Sequence, residues 1–90
     1  MSTLEVIVRG RVQGVGFRYF VLDQALARGI QGEVWNRRDG GVELFASHDD
    51  LQVLEEFVRS IHHGPGRVDS VSTFPGQASH QTGFRIGDSR

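Results

Sequence analysis

Residues 30–47, IQGEVWNRRDGGVELFAS, decide how the rest of the chain is read. Two strand-like runs, Ile30–Arg38 and Gly41–Ser47, flank Asp39-Gly40. Asp-Gly between such runs is the strongest short-range hairpin signal, because both central positions favour φ > 0. In the second run Val42, Leu44 and Ala46 share one face, as a half-buried strand requires. Two consecutive strands therefore stand in the middle of the chain.

Helical patterns lie on either side of this hairpin. Downstream, Leu51, Leu54, Phe57, Val58 and Ile61 recur at helical spacing. Ser47 or Asp49 is the expected cap, and His62, His63, Gly64 and Pro65 close the helix. Upstream, a helix starts at Phe17 or Arg18 and ends at Arg28-Gly29, with Val21, Leu22, Ala25 and Leu26 as its apolar stripe. The outermost runs are strands. Leu4–Gly10 alternates Leu4, Val6 and Val8 against Glu5 and Arg9, Arg67–Phe74 gives a fourth strand, and Thr82–Ile86 a short last one. The order β-α-β-β-α-β plus a short strand predicts an α+β fold, the ferredoxin-like α/β sandwich: an antiparallel sheet with two helices on one face. Residues 1–90 are expected to form one domain.

Composition narrows the function classes. No run approaches the roughly 20 apolar residues of a membrane span, and MSTLEVIVRG has neither the basic flank nor the apolar core of a signal peptide. Cysteine is absent, which excludes disulfides, thiol nucleophiles and cysteine-ligated metals and fits a cytoplasmic location. All ten basic residues are Arg, so a lysine Schiff base and a Walker-type lysine are excluded. Residues 1–38 carry six Arg against Glu5, Asp23 and Glu33, whereas the remainder is net acidic. A short, weakly basic half suits a small anion rather than a nucleic acid. The expected partner is thus a small molecule, with neither nucleic acid nor membrane, and nothing beyond a monomer is required.

The chemistry concentrates in GRVQGVGFRYF, residues 10–20. Gly10, Gly14 and Gly16 let the backbone turn successive N–H groups inward, which makes an anion-binding concavity. The following helix adds its own unpaired N–H groups and the positive end of its dipole. Arg18 falls in the first turn of that helix, where a cation is repelled by the dipole and a bound anion would explain it. Its planar fork suits phosphate. A partial likeness to the RNA-recognition signature is set aside: Val15 stands at its stacking aromatic, Arg18 replaces its Val, and that signature belongs on a late central strand. Asn36, the only Asn in the chain, stands at the end of a strand just before the hairpin turn, where a turn-proximal polar residue is the plain reading.

VRGRVQGVGFR (Val8–Arg18) resembles the first signature of the acylphosphatases, and GEVWNRRDGGVE (Gly32–Glu43) the second. HHGPGRVDSV (His62–Val71) is similar to the family's second helix end and fourth strand, so the likeness spans nearly the whole chain. The resemblance implies hydrolysis of acyl phosphates to carboxylate and inorganic phosphate, without metal, other cofactor or covalent enzyme intermediate. It assigns phosphate binding to Arg11, Val12, Gln13, Gly14, Val15, Gly16, Phe17 and Arg18, and catalysis to Arg18 and the water-orienting Asn36. Two positions depart from the family's habit: Glu33 replaces an aromatic or aliphatic residue, and Trp35 a basic or polar one. A non-catalytic anion-binding module is the alternative from another class. A third reading is a piece resembling the N-terminal domain of hydrogenase-maturation carbamoyltransferases. His48, His62, His63 and His80 match no metal-ligand spacing. Arg37-Arg38 is expected at a solvated hairpin end, and Trp35 as a packing residue.

Overall fold

A computed structural model describes residues 1–77 and 81–90. The elements are β1 (Ser2–Arg11), α1 (Phe17–Ala27), β2 (Gln31–Asn36), β3 (Val42–His48), α2 (Leu51–Ile61), β4 (Arg67–Pro75) and β5 (Phe84–Ile86). The five strands form one sheet in the order β4-β1-β3-β2-β5. All neighbours are antiparallel except β2 and β5, which run parallel with Gly32 opposite Phe84 and Val34 opposite Ile86. The ferredoxin-like sandwich therefore stands, with the last strand making its sheet mixed rather than wholly antiparallel.

Period-two alternation sends Val6, Val8, Val34, Val42, Leu44 and Ala46 into a single core, where both helices meet them through Phe17, Val21 and Ala25 of α1 and Leu54, Phe57 and Ile61 of α2. Each large apolar side chain buried there contributes roughly 1.5–3 kcal/mol. Leu26, expected in the stripe of α1, faces solvent. It lies roughly 140° around the helix from Val21, whereas Phe17, Val21 and Ala25 recur every four residues.

The helix ends follow local chemistry. Gly29 is left-handed, and the bonds Ile30 N–H to Ala25 O and Gly29 N–H to Leu26 O close α1 in a Schellman motif. The cap of α2 is Asp50, whose Oδ1 accepts from the Gln52 N–H at 2.9 Å. Ser47 cannot serve there, because it is buried in β3 and shares a 2.7 Å hydrogen bond with Thr3. Asp49 lies one residue too early.

The hairpin also differs from its expected form. Only Gly40 has positive φ, and Asp39 does not. The Arg37 N–H to Gly41 O bond (2.8 Å) and the Gly40 N–H to Arg37 O bond (3.3 Å) close a three-residue loop with Gly in the left-handed position. Asp39 is held by its own carboxylate, which accepts from Gly41 N–H and from the guanidinium groups of Arg37 and Arg9. Among the described residues, β4 at one rim of the sheet has β1 as its single strand neighbour, and most of its residues are exposed.

Candidate active site

β1 and β2 both pair antiparallel with β3, so they run the same way and deliver the glycine loop and Asn36 to one end of the sheet. β1 bulges between Arg9 and Gly10 and stops at Arg11. The chain then turns through Gly14 (φ 73°) and Gly16 (φ 82°) into α1. Both glycines have open space where a Cβ would stand, so the constraint on them is conformational: an L-residue held left-handed costs roughly 1–2 kcal/mol. Gly16 occupies the N-cap of α1, with no side-chain cap and no acidic residue in the first turn.

Among the described residues, the N–H groups of residues 13–19 have no hydrogen-bond partner; the Phe20 N–H is the first to find one, on Gly16 O at 3.1 Å. These donors share a single strand-to-helix turn at the positive end of the α1 dipole, an arrangement suited to an anion. The side chains of the loop do other work. Val12 and Phe17 are buried in the core and Val15 packs against it, so the first two can offer a ligand only main-chain groups. A Cβ on Gly66 would overlap the Arg11 carbonyl oxygen and press on Val15, which shows how closely the α2–β4 connection backs the loop. Arg11 is exposed.

Gln13 reaches away from the loop. Its Nε2 donates to Arg37 O at 2.7 Å and to Gly41 O at 2.8 Å, tying the loop to the hairpin that follows Asn36. Arg18 is half-buried and, among the described residues, has neither an ion-pair nor a hydrogen-bond partner for its guanidinium. Arg9, Arg37, Arg67, Arg85 and Arg90 each pair with a carboxylate. Arg37, expected at a solvated end, is only 26% exposed and is neutralised by Asp39 and Glu43 at 2.9 and 2.7 Å. The Arg37 hydrogen bond, followed by the Gly41 N–H, holds the Asp39 carboxyl well below the usual carboxylate range.

Asn36 ends β2 on the same parity as core residue Val34, hence on the helix side of the sheet. Its Oδ1 is buried and has no hydrogen-bond partner among the described residues. A buried acceptor left open in this way costs roughly 1–3 kcal/mol and flags a site whose ligand would complete it. The open amide and the open N–H groups thus belong to one end of the sheet.

The acylphosphatase family profile matches residues 4–86. The chain belongs to the acylphosphatase family. An acylphosphatase from Lactococcus lactis is 44% identical over 95 residues, covering 96% of this chain and 98% of that protein. One from Bradyrhizobium diazoefficiens is 46% identical over 90 residues, covering 97% and 89%. The crystal structure of the Bacillus subtilis acylphosphatase superimposes with a TM-score of 0.91 at 38% identity, covering 97% of this chain and 99% of that one. Full-length HypF in its phosphate- and nucleotide-bound form contains a similar unit, at TM-score 0.81 and 27% identity, of which this acylphosphatase-family chain spans 12%.

Sequence reasoning placed Gln13 in the loop but missed what its side chain does, and missed Arg90 altogether. The side chain of Gln13 is a tether, and Arg90, unremarked in the sequence, donates its N–H to Asn36 O at 2.8 Å. His48 and His62 bond locally, to Asp50 N–H and toward Val58 O, while His80 lies outside the described residues. Among the described residues no group of three or more His, Asp or Glu side chains is placed to hold a metal ion.

Proposed function

We propose that this acylphosphatase-family enzyme hydrolyses the carboxyl–phosphate bond of small acyl phosphates by direct attack of a water that Asn36 orients. The open N–H groups of residues 13–19 and the Arg18 guanidinium take the phosphoryl oxygens. Asn36 Oδ1 accepts a hydrogen bond from the water and aims its oxygen at phosphorus, opposite the acyl oxygen. The water oxygen–phosphorus bond forms, the phosphorus–acyl oxygen bond breaks, the electron pair leaves on the carboxylate, and the water's proton passes to phosphate or solvent. A carboxylate whose conjugate acid has a pKa near ~4 leaves without a general acid. Positioning and charge stabilisation are then sufficient help for the phosphoryl transfer.

The single observation that carries this reading is the buried, unpartnered Oδ1 of Asn36 at the end of the sheet that also presents the glycine loop. The test is benzoyl phosphate hydrolysis with inorganic phosphate as competitive inhibitor. Asn36→Ala is expected to lose turnover and keep its phosphate Ki. Arg18→Ala loses more than the ~10²–10³-fold typical of deleting one charge-stabilising donor, because it removes a full charge. Weakened phosphate binding with intact turnover in Asn36→Ala would reverse the assigned roles. The reading includes a monomeric, single-domain enzyme in a reducing cytoplasm, which a cysteine-free chain suits. Gel filtration and cell fractionation check those points.

A further inference from the structure

We infer that Arg90 is a positioning residue for Asn36, an inference that rests on the role of Asn36 proposed above. The segment after β5 continues alongside β2: Gly87 N–H donates to Val34 O at 2.8 Å, Arg90 N–H to Asn36 O at 2.8 Å, and Arg38 N–H to Arg90 O at 2.8 Å. Arg90 therefore bonds the Asn36 carbonyl and the Arg38 N–H, one on each side of Arg37, and holds the end of β2 through the Asn36 peptide. Its side chain crosses to the sheet face opposite the Asn36 amide. There Nη2 donates to Glu33 Oε2 at 2.8 Å, and Cζ lies 3.9 Å from the centroid of the Trp35 ring.

Glu33 is 5% exposed, and its carboxylate is paired with Arg90 at 2.8 Å and with Arg85 at 3.4 Å. Glu33 and Trp35 are the two positions that depart from the family's habit, and together they form the seat of the Arg90 guanidinium. Stacking on Trp35 and the bond to Glu33 fix where the Arg90 main chain lies, and through it the end of β2.

Asn36 has particular need of such a hold. Among the described residues no donor reaches its Oδ1, so the direction of the amide is set by its backbone and packing. Gln13 secures the following residues from the loop side, and Arg90 secures Asn36 itself from the β5 edge. Misplacement by about 1 Å costs up to ~10²-fold in a reaction that depends on alignment. Loss of the side-chain grip, with the main-chain bond still available, is expected to cost about tenfold.

The experiment is a double-mutant cycle on kcat for benzoyl phosphate, assayed well below each variant's melting temperature. Arg90→Ala should lower kcat about tenfold with the KM and the inorganic-phosphate Ki unchanged, and should have no effect on the residual rate of Asn36→Ala. Arg90→Lys, which keeps the charge but not the planar stack, should recover part of the loss. Should Arg90→Ala fail to fold, Arg90→Gln, which still covers Trp35 and can bond Glu33, takes its place in the cycle. An equal loss in both backgrounds, or a shifted phosphate Ki with kcat unchanged, overturns the inference and leaves the proposed role of Asn36 standing. Full turnover in Asn36→Ala alone instead overturns that role, and the inference with it.

Discussion

Asn36→Val is expected to move stability and turnover in opposite directions. The substitution removes the buried, unpartnered Oδ1, whose desolvation costs roughly 1–3 kcal/mol. It also replaces a residue depleted in strands by one that favours them, on a scale spanning about 1 kcal/mol. Val34, two residues earlier on the same face of β2, is fully buried, so an apolar side chain suits these surroundings. Part of the gain is offset by imperfect repacking, leaving a net stabilisation of about 1–2 kcal/mol. For a domain of this size that is an increase in Tm of roughly 4–16 °C. Urea and thermal unfolding measure the shift, and benzoyl phosphate hydrolysis on the same preparation measures the loss of turnover. An unfolding midpoint at or below that of the parent would show that Oδ1 carries no desolvation cost in the folded protein, and the stability argument would fail.

Gln13→Met deletes both donors to the hairpin carbonyls; at about 1 kcal/mol per bond it should lower Tm by roughly 8–16 °C, and the freed loop should raise the phosphate Ki. An unchanged melt and Ki would show the tether to be idle. Gly16→Ala, with open space around it but a left-handed backbone, should cost about 1–2 kcal/mol in denaturant unfolding, against a loss near zero if φ were not the constraint. The Asp39 carboxyl is held low in the folded state, so its contribution is present above the unfolded value of about 4 and fades as pH falls further. Asp39→Asn should therefore be less stable than the parent at neutral pH and converge with it in acid, and parallel stability curves across that range would contradict the ion-pair account.

Much of the fold was legible because it rests on short-range patterns. Leu54, Phe57 and Ile61 announce α2 by spacing alone, and Asp39-Gly40 places the hairpin. The turn type was not legible: Asp39 answers to Arg37, Arg9 and Gly41 rather than to its dipeptide preference. Leu26 was misread because α1 buries a narrow face, which a count of apolar residues does not reveal. At the site, the glycine spacing and the unusual placing of Arg18 drew attention to the loop, while the family likeness singled out Asn36. The tether made by Gln13 and the contacts of Arg90 stayed hidden because their partners are remote in sequence: Gln13 reaches 28 residues to Gly41, and Arg90 reaches 57 to Glu33. Such pairings exist only once the sheet has formed.

The free rim at β4 has a consequence for handling the protein. The outward-pointing main-chain groups of alternate residues between 67 and 74 can be extended by a strand from another molecule, and the half-exposed Phe74 adds a sticky contact. Arg67 and Asp69, paired with each other at 2.9 Å, and Pro75 at the far end are the guards against such zippering. Any strand-to-strand association between molecules is expected to start along this rim, and a charged residue in place of Ser72 should lower light scattering by concentrated solutions if it does.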